Sequence, residues 1–149
     1  MDVKKIICSV ESAIMLKKHG VKQDSIFYYV NGWKDPRGLL ISDGEHVILS
    51  EQMHITKLEA KKRGADIEFV SAFTVGELGI MLPLYTHSYR LEDNIWLADF
   101  VNGSKPNFDK EEANARSKFL INLIEIKVLL IDKINLRIAP EYFVSSDNF

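Results

Sequence analysis

The chain has 149 residues, 46% of them hydrophobic and 27% charged, with a formal net charge of −2. That length fits one domain with a real core, and that charge supplies no global field toward nucleic acid or anionic lipid, leaving only a local basic patch open. The single cysteine, Cys8, excludes an intrachain disulfide and a multi-cysteine zinc site.

Met1 to Val10 carries lysines beside an apolar run too short for a signal peptide. Cys8, in Ile6-Ile7-Cys8, reads as buried and inert rather than nucleophilic. Ser9 to His19 reads as a helix: Ser9 fits the N-cap, Glu11 suits the positive end of the dipole, and Lys17, Lys18 and His19 suit the negative end. Val10, Ala13, Ile14 and Leu16 give its stripe, with Met15 beside it. Gly20 stands where a left-handed residue ends such a helix, and Val21 packs back on the last turn.

Ile26 to Val30 is aromatic and β-branched, hence a strand. Asn31-Gly32 and Asp35-Pro36-Arg37-Gly38 are two turn signals, either of which reverses the chain. Leu39 to Ser42 and His46 to Leu49 follow as a hairpin around Asp43-Gly44. Ser50 to Arg63 reads as a helix ended by Gly64. Its stripe is thin (Met53, Ile55 or Thr56, and Leu58), which predicts a peripheral helix lying over the sheet edge.

Ile67 to Phe73 is extended and delivers the chain to the clearest local signal. In Phe73-Thr74-Val75-Gly76-Glu77-Leu78, Thr74 and Glu77 make a capping box, with Phe73 and Leu78 as its hydrophobic staple. Pro83 disfavours helix at Leu82 and stops the element. Leu84 to Leu91 alternates as a half-buried strand, Glu92-Asp93-Asn94 turns, and Ile95 to Val101 returns. Asn102 to Asn107 is a loop. Asp109, with Glu112 as a box-like pair and Phe108 just before, opens a long helix. Ala113, Arg116, Phe119-Leu120, Leu123-Ile124 and Lys127 trace its inner face. Val128 to Ile131 and Ile134 to Ile138 then read as a closing strand or as an arm onto a second copy. Ile124 to Ile134, the longest apolar stretch, is interrupted by Glu125, Lys127, Asp132 and Lys133. It falls short of the ~20 residues that span a bilayer, so the expected compartment is the cytoplasm.

The expected architecture is a single α+β domain over 1–144 with a frayed tail at 145–149. It has a mostly antiparallel sheet of about five or six strands and helices from both halves packed on one face.

Three blocks taken together resemble a known family. They are Cys8 to Ala13 with Leu16 to Val21 and Phe27-Tyr28-Tyr29; Ser71 to Pro83; and Glu112 to Ile121 with Leu123-Ile124-Glu125. They cover about a third of the chain and are similar to small uncharacterised proteins encoded in phages and prophages of gut bacteria. The chain departs from that pattern in Asp43 to Ala65 and after Lys127. The resemblance implies a phage-related cytoplasmic protein and brings no activity, ligand or catalytic residue.

The candidate catalytic pair is His87 and Asp99. If Leu91 faces Ile95 across a three-residue turn, His87 faces Asp99, and a carboxylate beside an imidazole supports base chemistry. A one-residue slip destroys the pairing, no nucleophile can be assigned to it, and a surface cross-strand pair explains the same residues. His46 and His54 stand eight apart, with Glu45, Glu51 and Glu59 nearby, but match no metal template. No metal or cofactor is expected, and scattered Asp2, Asp24, Asp35 and Asp93 make no nuclease centre. Lys57, Lys61, Lys62 and Arg63 form a basic helix end, as do Lys17, Lys18 and His19. Beside Tyr85, Tyr89 or Trp33 they would hold phosphate and stack bases; otherwise they are solvated ends answering the helix dipole. The aromatics Phe27, Tyr28, Tyr29, Trp33, Tyr85, Tyr89, Trp96 and Phe100 are either core or an open protein-binding face.

The function expected first is therefore a phage-related, non-enzymatic interaction protein that binds another protein or itself. The apolar segment after Lys127 suggests a homodimer. The alternative is a nucleic-acid-binding accessory protein, and the third reading is an enzyme built on His87 and Asp99.

Overall fold

Ser9 starts the first helix as its sequence predicts. In α1 (Val10–Lys18) the Ser12 N–H donates to Ser9 Oγ at 3.2 Å. Gly20, at φ +94°, ends it, with Val21 N–H donating to Leu16 O and Gly20 N–H to Lys17 O, each at 3.0 Å. Only a residue tolerant of the left-handed region closes a helix in this way. The computed structural model describes residues 2–34, 46–83, 86–91, 95–100 and 107–138; at 32–34, 87, 89, 97, 99, 100, 107 and 108 it describes the backbone alone.

The first sheet is antiparallel, in the order β2 (His46–Leu49), β1 (Phe27–Lys34), β3 (Asp66–Ser71). Tyr29 lies opposite both Val47 and Val70, and all three join the main core. One step along, Tyr28 and Val30 face the other way and make a second cluster with Ile48, Met53, Ile67 and Phe69. This two-residue alternation decides the layering. α1 covers the Tyr29 face, and α2 (Met53–Lys62), which supplies Met53, covers the opposite one. Helices thus lie on both faces of this sheet, where the sequence predicted one. Asn31-Gly32 makes no hairpin turn either, because β1 runs through it with a register shift between Asn31 and Lys34. The other turn signal, Asp35 to Gly38, lies outside the described residues, as do Leu39 to Ser42 and Asp43-Gly44.

α2 ends at Gly64 (φ +67°), with Ala65 N–H donating to Ala60 O at 2.9 Å. Its inner ridge is Met53, Thr56 and Ala60, whereas Ile55 and Leu58 are exposed. Leu58 was expected inside. The helix touches the sheet along a single ridge, and a small Ala60 allows the approach.

After β3 the chain enters α3 (Val75–Met81) through the expected capping box. Glu77 N–H donates to Thr74 Oγ1 at 3.2 Å, and Thr74 N–H donates to Glu77 Oε1 at 2.8 Å. Phe73 and Leu78 are both fully buried. Thr74→Ala is expected to cost about 1 kcal/mol. A thermal or urea midpoint equal to wild type would show that the hydroxyl does not anchor this helix.

α3 also separates the strands. β4 (Thr86–Arg90), β5 (Trp96–Phe100) and β6 (Asn107–Asp109) form a second antiparallel sheet, so the described strands divide into two three-stranded sheets rather than one. β6 was not expected. Its pairing with β5, Asp109 opposite Trp96, draws Asp109 into the sheet. α4 (Glu112–Glu125) therefore begins after Asp109, with Glu111 at the N-cap. The Asp109 carboxylate accepts instead from Glu111 N–H (3.1 Å) and from Lys118 Nζ (2.6 Å). Burial alone would raise its pKa, but these donors outweigh it and hold the carboxyl below its ordinary value.

α4 is the centre of the molecule. It packs on α1, on α3 and on all three strands of the second sheet, burying Ala113, Phe119, Leu120 and Leu123. Arg116 ties these layers together: Nε donates to Ser88 Oγ (2.9 Å) and Nη1 to Val75 O (2.9 Å), while Ser88 donates to Glu112 Oε1 (2.6 Å). Gly79 makes room for that guanidinium, since a Cβ there would lie 2.6 Å from Arg116 Nη1. After Lys127, Ile131–Ile138 is a helix and not a closing strand. In α5 (Ile131–Ile138), Ile131, Ile134 and Ile138 recur at three and four residues and meet the main core. Asn135 fastens it to the end of α1 by accepting from Lys22 N–H (2.7 Å) and donating to Gly20 O (3.0 Å).

Candidate functional site

The backbone sets His87 opposite Asp99, with Leu91 N–H donating to Ile95 O at 2.8 Å. The expected register is present in the main chain. Tyr89 lies opposite Leu97, Trp33 is in β1, and Tyr85 falls outside the described residues. Lys61, Lys62 and Arg63 are exposed at the end of α2. That end belongs with the first sheet, whereas Tyr89 belongs to the second, so these residues stand on different layers.

At the other basic end, Lys17 and His19 have acidic partners, and Lys18 is exposed. Lys17 Nζ pairs with Glu68 and donates to Phe69 O (3.1 Å), and His19 Nε2 lies 3.3 Å from Glu125 Oε1. His46 and His54 are both exposed, and no group of three or more potential metal ligands gathers among the described residues. The Cys8 thiol is fully buried, and burial pushes its pKa up to about 12, so the thiol stays protonated at neutral pH.

The structure adds a cleft that the sequence did not announce. Its volume is about 350 Å³, and its walls come from the segment before β1, from Ser50, from α3 and from α5. Glu77 is one of its lining residues. Besides capping α3, its carboxylate accepts from Ser25 Oγ (2.8 Å) and from Ile26 N–H (3.2 Å). Arg137 also lines it, and its Nη1 donates to Met81 O (3.0 Å) and Leu82 O (3.1 Å), two carbonyls at the end of α3. Exposed Ile26 and Ile80 also line the cleft.

Ser25 directs its proton to Glu77, and the Glu77 oxygens already accept three protein donors. The pair is a structural clasp that ties the segment before β1 to the start of α3. Only the role of Glu77 at the helix start was legible beforehand. Ser25 and Arg137 carry no local signal, because they reach the cleft from opposite ends of the chain.

Among the described residues no helix is long and apolar enough to cross a membrane. Comparison with protein-family models, with curated proteins and with solved structures returns no match.

Proposed function

We propose that this protein acts by binding rather than by catalysis: a phage-related, cytoplasmic interaction protein whose first partner is a second copy of itself. The observation that carries the reading is the chain between α4 and α5. Ile126, Val128 and Leu130 are 55%, 55% and 58% exposed, one after another at alternate positions. Isolated exposed aliphatics are ordinary, but a run of them is a feature of interaction sites. The resemblance of the three sequence blocks supports the phage association.

Size-exclusion chromatography with light scattering, at low and moderate salt and with absorbance read at two ultraviolet wavelengths, tests this. The expected result is a dimer free of nucleic acid. A monomer at all loadings would refute self-association.

A second reading rests on Lys57, Lys61, Lys62 and Arg63, which are exposed and have no ion pair among the described residues. It makes the protein a nucleic-acid-binding accessory factor. A monomer carrying nucleic acid that salt strips away would put this reading first.

A further inference from the structure

α2 turns its ridge of Met53, Thr56 and Ala60 to the sheet and leaves the rest of its surface in solvent. The opposite ridge reads Glu51, Ile55, Leu58, Lys62, at spacings of four, three and four. Those intervals place four side chains in line on one helix face. Glu51 lies in the 3-10 turn Ser50–Gln52 that runs directly into α2. All four residues are exposed, Ile55 at 64% and Leu58 at 46%.

The order of these residues has a symmetry of its own. The line begins with an anion, ends with a cation and holds two aliphatics between them. A two-fold axis beside the helix, midway between Thr56 and Lys57, sets Glu51 against the partner's Lys62. The same axis sets Ile55 against the partner's Leu58. Each contact occurs twice, as an isologous interface requires. We propose that the protein forms a two-fold homodimer by antiparallel pairing of α2 along Glu51, Ile55, Leu58 and Lys62. This takes from the reading above only that the protein self-associates, and it places the contact on α2 instead of on Ile126, Val128 and Leu130.

The charge order argues for a second copy over other occupants. An acidic partner of unrelated sequence would answer the cations alone and leave Glu51 opposed by like charge. A nucleic acid backbone would be repelled by Glu51 and Glu59 and would gain nothing from two aliphatics between the cations. A second copy satisfies both ends at once, and antiparallel helices also oppose their dipoles favourably. Aliphatics at the centre with charges at the rim is the usual order of a protein interface. One short helix per copy makes a small contact, so the dimer is weak, concentration-dependent and weakened by salt.

The test uses two single substitutions at exposed positions. Lys62→Glu puts a carboxylate opposite the partner's Glu51, and Glu51→Lys puts an ammonium opposite the partner's Lys62. Sedimentation velocity over a concentration series is expected to show the wild type dimerising. Each variant alone should associate at least about tenfold more weakly, because both symmetric contacts become repulsive. An equimolar mixture of the two variants should regain association, because every charged contact in the heterodimer is then between opposite signs. Circular dichroism confirms that both variants keep their helices.

A wild-type dimer indifferent to both variants, or a mixture that fails to associate, overturns this pairing. If that dimer is instead lost in Val128→Asp, the interface lies after α4 and self-association still stands. A wild type that remains monomeric overturns both readings. So does a wild-type monomer that is retained on duplex DNA and released by Lys62→Glu, which gives α2 to nucleic acid.

Discussion

Leu120→Ala is expected to lower the unfolding free energy by about 3 kcal/mol, and Leu120→Asp to leave little folded protein in solution. Leu120 is fully buried on α4, among residues that join α1, α3 and the second sheet. Truncation removes packed methyl groups at a point where several elements meet and where the backbone cannot close the gap without shifting each of them. The aspartate leaves a carboxylate with no partner of opposite charge described beside it. Urea unfolding followed by circular dichroism measures the first variant, and the soluble yield reads the second. A wild-type midpoint for Leu120→Ala would mean that α4 does not hold these layers together.

Glu77→Ala is expected to cost about 2–3 kcal/mol, more than Thr74→Ala. The alanine removes the acceptor of three donors: the Thr74 N–H, the Ser25 hydroxyl and the Ile26 N–H. Ser25 is 6% exposed, so its hydroxyl is poorly placed to recover water. Glu77→Gln keeps one carbonyl oxygen and should fall between the two. This ordering separates two roles for the residue. A carboxylate that only capped α3 would lose about as much as Thr74→Ala, whereas one that also clasps the entry to β1 loses more. Equal costs in the same unfolding experiment would reduce Glu77 to a helix cap.

Features closed within a few residues could be read directly from the chain. Ser9, Gly20, Gly64 and the Thr74–Glu77 box each act on backbone groups less than two turns away, so residue type and spacing suffice. The register of His87 against Asp99 belongs to the same class, because β4 and β5 are close neighbours in the chain and one pairing fixes every other. The α+β class also followed, since alternation and helical spacing survive in most segments.

Long-range packing decided the rest. Lys127 ends α4 in the left-handed region at φ +62° with no glycine to announce it; the tight return into α5, with Val128 N–H donating to Leu123 O, imposes that conformation. Ile131 to Ile138 has the composition of a strand, yet it is helical because α3 and the end of α1 offer it a surface at helical spacing. Asp109 has the chemistry of an N-cap, yet β5 takes it into a sheet first.

The cleft shows the same division. Glu77 was visible as a cap, but Ser25 and Ile26 meet it across intervals of 52 and 51 residues, Arg137 lines the same cleft from 60 residues further on, and no local rule connects them. The sequence alone determined where α1 begins and ends, where α2 ends and where α3 begins, because those hydrogen bonds are local. Only the tertiary structure decided which face each helix buries and which residues share the cleft, because those depend on surfaces assembled from distant segments.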